Sequence, residues 1–189
     1  MNSLMQPRAT SAAKSETRAD LVLVSFIIAA SWVLFSPILT LWWMYDDAFL
    51  LHYAIRHHPG QYLFIPSVWQ EFPQKLFTPV LPLAYDTDVF LFGVNAHSYY
   101  LHHLVELTLL FVLLHLCLRL WFSPAGSAVA TFLFMLGAPT MSWASQLMLR
   151  HYVESSIAAL VATILYVRGI RRGTRTAIVL SALAYFVAI

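Results

Sequence analysis

Apolar positions along this chain fall into long blocks separated by short polar interruptions, and each block predicts a helix able to enter a membrane. From Leu21 to Met44 the run is longer than the roughly 20 residues a helical span needs. It is also too long for a signal-peptide core and is followed by no small-residue cleavage site, so it is expected to remain as an anchor. Pro37 should kink its outer end, and Trp42, Trp43 and Tyr45 supply an interfacial aromatic belt. The next stretch, Gly60 to Asn95 with Pro59 before it, is apolar but carries Pro66, Pro73, Pro79 and Pro82, which exclude a continuous span. Its aromatic residues Tyr62, Phe64, Trp69, Phe72 and Phe77 predict short interfacial helices or re-entrant pieces lying on the membrane.

A second span is predicted over Ser98 to Phe122, followed by a tight turn at Ser123-Pro124-Ala125-Gly126. The third, Ser127 to Thr140, is broken by Gly137-Ala138-Pro139 and continues as the more polar MSWASQLMLR. A break at membrane depth is tolerated only against protein or a wet cavity. The fourth runs Glu154 to Val167, and the fifth, Thr176 to Ile189, has about 14 residues, too few to cross. The predicted fold is all-α integral membrane. It has four transmembrane helices (about 21–44, 98–122, 127–140 and 154–167), a truncated fifth (176–189) and a long extracytoplasmic loop (45–97) containing juxtamembrane helices. Residues 1–20 read as a flexible cytoplasmic lead-in.

Composition strengthens this reading: 60% of the 189 residues are hydrophobic and 11% charged, with a mean hydropathy of +0.70, which excludes a soluble domain. Neither a zinc-type cysteine cluster nor a glycine-rich phosphate loop occurs, and no basic tract interleaved with aromatics suggests nucleic acid as a partner. Cys117 is alone, so no intrachain disulfide can form. Arg8, Lys14 and Arg18 precede the first span, Arg119 edges the second turn, and Arg168, Arg171, Arg172 and Arg175 follow the fourth span. With alternating spans these share one side, cytoplasmic by the positive-inside bias. The long loop and the Arg150-His151-Glu154 turn then fall on the extracytoplasmic side.

Three constellations could carry chemistry. Asp46 and Asp47 stand where the first span meets water, ahead of a short helical segment with His52, Arg56, His57 and His58. They either stop the span or form a water-facing acidic site. Tyr99, His102, His103 and Glu106 fall three and four apart on one stripe of the second span, near its outer end. That stripe is either an interfacial hydrogen-bonded row or part of a divalent-metal site, and the latter would need Asp46 or His151 to complete it. No cofactor is otherwise expected. Arg150, with His151 beside it, either binds a phosphate through its planar fork or snorkels to the surface paired with Glu154. His115 and Arg119, at the opposite end of the second span, read as interfacial anchors.

The order of these features resembles the amino-terminal part of the GT-C class of polytopic glycosyltransferases, relatives of protein O-mannosyltransferases and of bacterial lipid-linked sugar transferases. The likeness rests on Tyr45-Asp46-Asp47-Ala48-Phe49, Thr78-Pro79-Val80-Leu81, Gly93-Val94-Asn95, His103-Leu104-Val105-Glu106, and Leu133-Phe134 through Pro139 to Arg150. It covers most of Trp42 to Val167, with Glu106 and Thr78 standing where relatives carry Asn and Arg. The resemblance implies transfer of a sugar from a polyprenyl-phosphate carrier to an extracytoplasmic acceptor at a bacterial inner membrane. Carried over, Asp46 or Asp47 would be the general base and Arg150 a phosphate contact; His102, His103, Glu106 and His151 are expected, from their own placement, to be substrate-binding residues beside them. Since GT-C enzymes are several times longer, the 189-residue chain by itself is expected to be inactive or to need a partner subunit. The rival expectation is a non-catalytic scaffold or accessory subunit whose partners are membrane lipid and another protein.

Overall fold

The computed structural model describes residues 7–72 and 80–188, and all regular structure among them is helical. Helix α1 (Pro7–Phe35) passes into a 3-10 turn at Ser36–Thr40. Among the described residues four shorter helices precede the next span: α2 (Asp47–Arg56), α3 (Gln61–Phe64), α4 (Pro66–Glu71) and α5 (Val80–Phe92). Then come α6 (Ala96–Leu118), α7 (Pro124–Met135) and α8 (Ala138–Ser145), a 3-10 turn at Leu147–Leu149, α9 (Arg150–Arg172) and α10 (Arg175–Ala188). Among the described residues three stretches are long and apolar enough to cross a membrane: Glu16–Thr40, Ala96–Leu118 and Leu147–Arg172. The α7–α8 pair has the same character only as one span bent by 60°. This is the make-up of a membrane protein.

Several boundaries differ from the sequence reading, each for a local reason. The helix does not wait for Leu21 but starts at Pro7, so residues 7–20 of the expected flexible lead-in are helical. Pro7 at its first position and the Ala, Lys, Glu and Arg that follow are good helix formers that the span then extends. At the other end, Pro37 does more than kink it, because α1 stops at Phe35 and the tighter turn carries the chain on to Thr40. The last long helix starts at Arg150 rather than Glu154.

The expected break at Gly137 is present. Pro139 has no N–H to offer Met135 O, and the ladder closes just before it in a tighter turn, with Phe134 O accepting from Gly137 N–H (3.1 Å) and Thr140 Oγ1 (2.7 Å). Ser123 caps α7 by accepting from Gly126 N–H at 3.2 Å, with Pro124 at the first helical position.

The proline-rich loop is compact over its described part. Tyr53 lies between Tyr62 and Phe72, with ring centroids 5.5 and 5.4 Å away, and its hydroxyl donates to Val68 O at 2.9 Å. Tyr62 Oη in turn donates to Ala54 O (3.1 Å) and Trp69 Nε1 to Tyr62 O (2.6 Å), which ties α2, α3 and α4 together. Between the spans, α1 meets α6 through stacked Phe35 and Phe111 (5.5 Å) and a 3.0 Å contact of Ser31 Oγ with Thr108 Oγ1.

Helices α9 and α10 form a tight hairpin. Gly173 is left-handed (φ 66°), Thr174 N–H reaches Gly169 O (2.9 Å) and Gly173 N–H reaches Ile170 O (3.3 Å), a Schellman termination. A Cβ at Gly169 would meet Ile178 Cγ1 at 3.0 Å and Ala177 Cβ at 3.2 Å, so glycine is what lets α10 approach. Gly169→Leu is therefore expected to destabilise the hairpin by about 1–3 kcal/mol through overpacking, and Gly169→Ala by less. Thermal unfolding in detergent measures this, and an unchanged midpoint for the leucine variant would contradict the close approach.

Candidate functional site

Arg150, the first residue of α9, is completely buried. Its guanidinium makes two 2.7 Å bonds to Glu106, Nε to Oε2 and Nη2 to Oε1, and Nη1 reaches Asp88 Oδ2 at 2.5 Å. Glu154 Oε1 stands 3.2 Å from Nε, one helical turn along α9. His102 completes the group, its Nδ1 2.5 Å from Asp88 Oδ1. Local geometry explains most of this assembly. Residues 102 and 106 are four apart on α6 and 150 and 154 four apart on α9, so each pair shares a face. The packing of α5 beside α6 and α9 then brings in Asp88. A buried arginine demands such an enclosure, because an unpaired charge there is prohibitively costly.

An open cleft of about 290 Å³ adjoins this cluster. Leu83, Ala84 and Thr87 of α5 line one part, and His102, Glu106 and Glu154 another, with Arg150 also reaching it.

The two aspartates of the first loop lie outside that cleft's lining and differ sharply from one another. Asp47 is 1% exposed; its Oδ2 accepts from Met44 N–H and its Oδ1 from the hydroxyl of buried Tyr85, both at 2.9 Å. Burial pushes its carboxyl above the usual carboxylate range, against the opposing pull of the Met44 and Tyr85 hydrogen bonds. Asp46 is exposed, and among the described residues no hydrogen bond or ion pair holds its carboxylate. The turn that presents it is unusual, since Tyr45 has φ 49°, a left-handed conformation costing a non-glycine residue on the order of 1–3 kcal/mol.

Of the residues singled out by sequence, then, the structure brings together His102, Glu106 and Arg150. His103 stands behind them: its Nε2 donates to Trp143 O at 2.9 Å, and its Nδ1 is 3.5 Å from Glu106 Oε2. His151 does not join, its Nδ1 lying 3.0 Å from Met148 O and its ring against Tyr152. The snorkelling expectation for Arg150 is overturned, because the Glu154 partner is correct but the pair is interior. Nor does Asp46 or His151 complete a metal site with His102 and Glu106. Among the described residues no group of three or more His, Cys, Asp or Glu is arranged to hold a metal ion, and Arg150 fills the place beside Glu106.

Asp88 was missed. Its one sequence signal is that it follows Tyr85 by three, so that a helix there puts both on one face. That single helix ties the Asp47 turn, through Tyr85, to the Arg150 cluster, through Asp88. Within the stretches resembling GT-C enzymes, Asn95 caps α6 by accepting from His97 N–H (3.1 Å) and Gly93 takes the left-handed φ of 63°. Thr78 and Pro79, with Pro73 and Phe77, lie outside the described residues.

Compared with protein-family models, with curated proteins and with solved structures, the chain matches none.

Proposed function

We propose that this chain is a GT-C-like glycosyltransferase module, in which Asp46 is the general base toward an acceptor hydroxyl on the extracytoplasmic face of a bacterial inner membrane. The observation that carries the reading is the division of labour in the acidic pair. Asp47 is buried and hydrogen-bonded, while Asp46 stands free beside it on a strained turn at the end of the first span. A carboxylate so placed is open to water and within reach of a substrate carried in the lipid. The implied step moves the acceptor proton to Asp46 as the acceptor oxygen bonds the sugar carbon, whose bond to the carrier phosphate breaks with inversion. The departing group is polyprenyl phosphate. Arg150, enclosed by Asp88, Glu106 and Glu154, acts in this reading as a hub joining α5, α6 and α9, and not as the phosphate contact.

One observation favours the rival, a non-catalytic scaffold or accessory subunit: the richest cluster of ionisable groups is spent on internal pairs. Transfer of radiolabelled sugar from a polyprenyl-phosphate donor in native membranes separates the two. Asp46→Asn should lower it by at least about two orders of magnitude, and full transfer by that variant, equally inserted, would leave the scaffold.

Sidedness follows from the same reading, with the amino terminus cytoplasmic and the 45–97 loop extracytoplasmic. A cysteine at exposed Gly60, where added atoms meet nothing within 4 Å, should react with an impermeant thiol reagent on intact cells when Cys117 is replaced by Ser. Labelling only after lysis would reverse the orientation.

A further inference from the structure

At the end of the molecule that carries the α9–α10 turn, positive charge is compensated in one place and left bare in another. Arg119 is neutralised: its Nε reaches Asp20 Oδ1 at 2.7 Å and its Nη2 reaches Glu16 Oε2 at 3.4 Å, which closes the start of the first span against the end of α6. Arg168, Arg171, Arg172 and Arg175 have no such partners. All four are exposed, none makes an ion pair among the described residues, and the sequence from Ser155 to Ile189 contains no carboxylate side chain.

Geometry concentrates these charges. At 100° per residue, Arg168, Arg171 and Arg172 fall within an arc of roughly 100° on the last turns of α9. Arg175 opens α10 just beyond the Schellman turn that folds the hairpin back. Arg171 Nη2 donates to Leu120 O at 3.0 Å, which fastens the α6–α7 turn to the patch. That turn contributes Trp121 and Phe122, more than half exposed, and Ile170 is equally exposed among the arginines. Guanidinium groups beside exposed aromatic and aliphatic side chains at the end of apolar helices match a ligand with an anionic head and an apolar tail. Arginine forks can grip phosphate oxygens while the apolar side chains lie in the acyl boundary.

We propose that the α9–α10 turn, with the α6–α7 turn beside it, is a binding site for the phosphate headgroup of an anionic phospholipid. Its role is independent of sugar transfer, since the patch neither contains nor touches the Asp46 turn or the Arg150 cluster. Arginines that served orientation alone would leave the folded protein indifferent to the lipid around it. A built site would not.

The test uses the full chain in nanodiscs of phosphatidylcholine, with and without phosphatidylglycerol at one part in four. Phosphatidylglycerol is expected to raise the unfolding temperature by several degrees and to remain bound in native mass spectrometry. Replacing Arg168, Arg171, Arg172 and Arg175 together by Gln should remove that shift and lower the affinity for the retained lipid by almost three orders of magnitude, roughly fivefold for each charge. Arg18→Gln, which removes an exposed charge from another element, should change neither. The proposal is overturned if the quadruple variant keeps the lipid-dependent shift, or if phosphatidylcholine alone stabilises the native chain as well. It is also overturned if soluble polyphosphate produces the same shift without phosphatidylglycerol, since the ligand would then be an aqueous polyanion. Because the readout is the difference between two lipid compositions for each variant, a general loss of stability in the quadruple variant does not mimic the expected result.

Discussion

Arg150→Gln should be the most damaging single substitution at this site, destabilising the fold by about 3–5 kcal/mol, the usual result of removing one partner from a buried ion pair. The charge sits at no exposure among Asp88, Glu106 and Glu154, so its loss strands carboxylates from three directions in a medium that cannot solvate them. Arg150→Lys should recover little, because a single ammonium cannot reproduce the fork that holds both Glu106 oxygens while reaching Asp88. Two further outcomes check the physical cause. Neutralising the stranded partners in the same chain (Asp88→Asn with Glu106→Gln) should restore much of the loss, since it removes the uncompensated charge. Acidification should partly rescue Arg150→Gln and do less for the native chain, because protonating the stranded carboxylates relieves the same cost. Unfolding in detergent, followed by helical circular dichroism, reads all of these. An Arg150→Gln protein as stable as the native one would mean that the cluster does not bind α5 to α6 and α9.

The second large effect is expected at Asp46, and its contrast with Asp47 is the informative part. Asp46→Asn should lower sugar transfer by about two to four orders of magnitude, the range general-base help supplies, while leaving stability unchanged, because the carboxylate is exposed and holds nothing. Asp47→Asn should do the reverse. An amide offers one acceptor oxygen where Tyr85 Oη–H and Met44 N–H need two, so a buried donor is left unpaired at about 1–3 kcal/mol. The pH dependence has a definite sign. A carboxyl raised by burial contributes stability that is fully present below its unfolded pKa of about 3.9 and is lost as pH rises through the folded value. The advantage of the native chain over Asp47→Asn should thus be largest in acid and narrow toward neutrality, as melting temperatures from pH 4 to 7 would show. A constant or widening difference would contradict a raised Asp47, and equal transfer by Asp46→Asn would remove the proposed chemistry.

Much of the architecture was legible in the chain because it rests on local rules. Unbroken apolar length marks the spans around Ile27, Leu107 and Ala162, the missing N–H of Pro139 marks the bend after α7, and Ser123 with Pro124 marks the next helix start. The stripe of His102, His103 and Glu106 was legible too, since helical period alone puts those side chains together.

The sequence by itself therefore determined that this is a helical membrane protein, that its chain bends at Gly137-Ala138-Pro139, and which polar residues share a helix face. Only the tertiary structure decided which faces meet. Asp88 lies 62 residues from Arg150 in sequence, and its place three residues after Tyr85 says nothing of that partner, yet the packing of α5 against α6 and α9 buries it on the guanidinium. Likewise Asp46 and Asp47 are chemically identical and adjacent, and only the turn at Tyr45 and the approach of Tyr85 from α5 bury one while leaving the other in water. Hydrophobic period is carried by neighbours along the chain. The partner of a buried charge is chosen by whichever element closes over it, and that choice belongs to the packed fold.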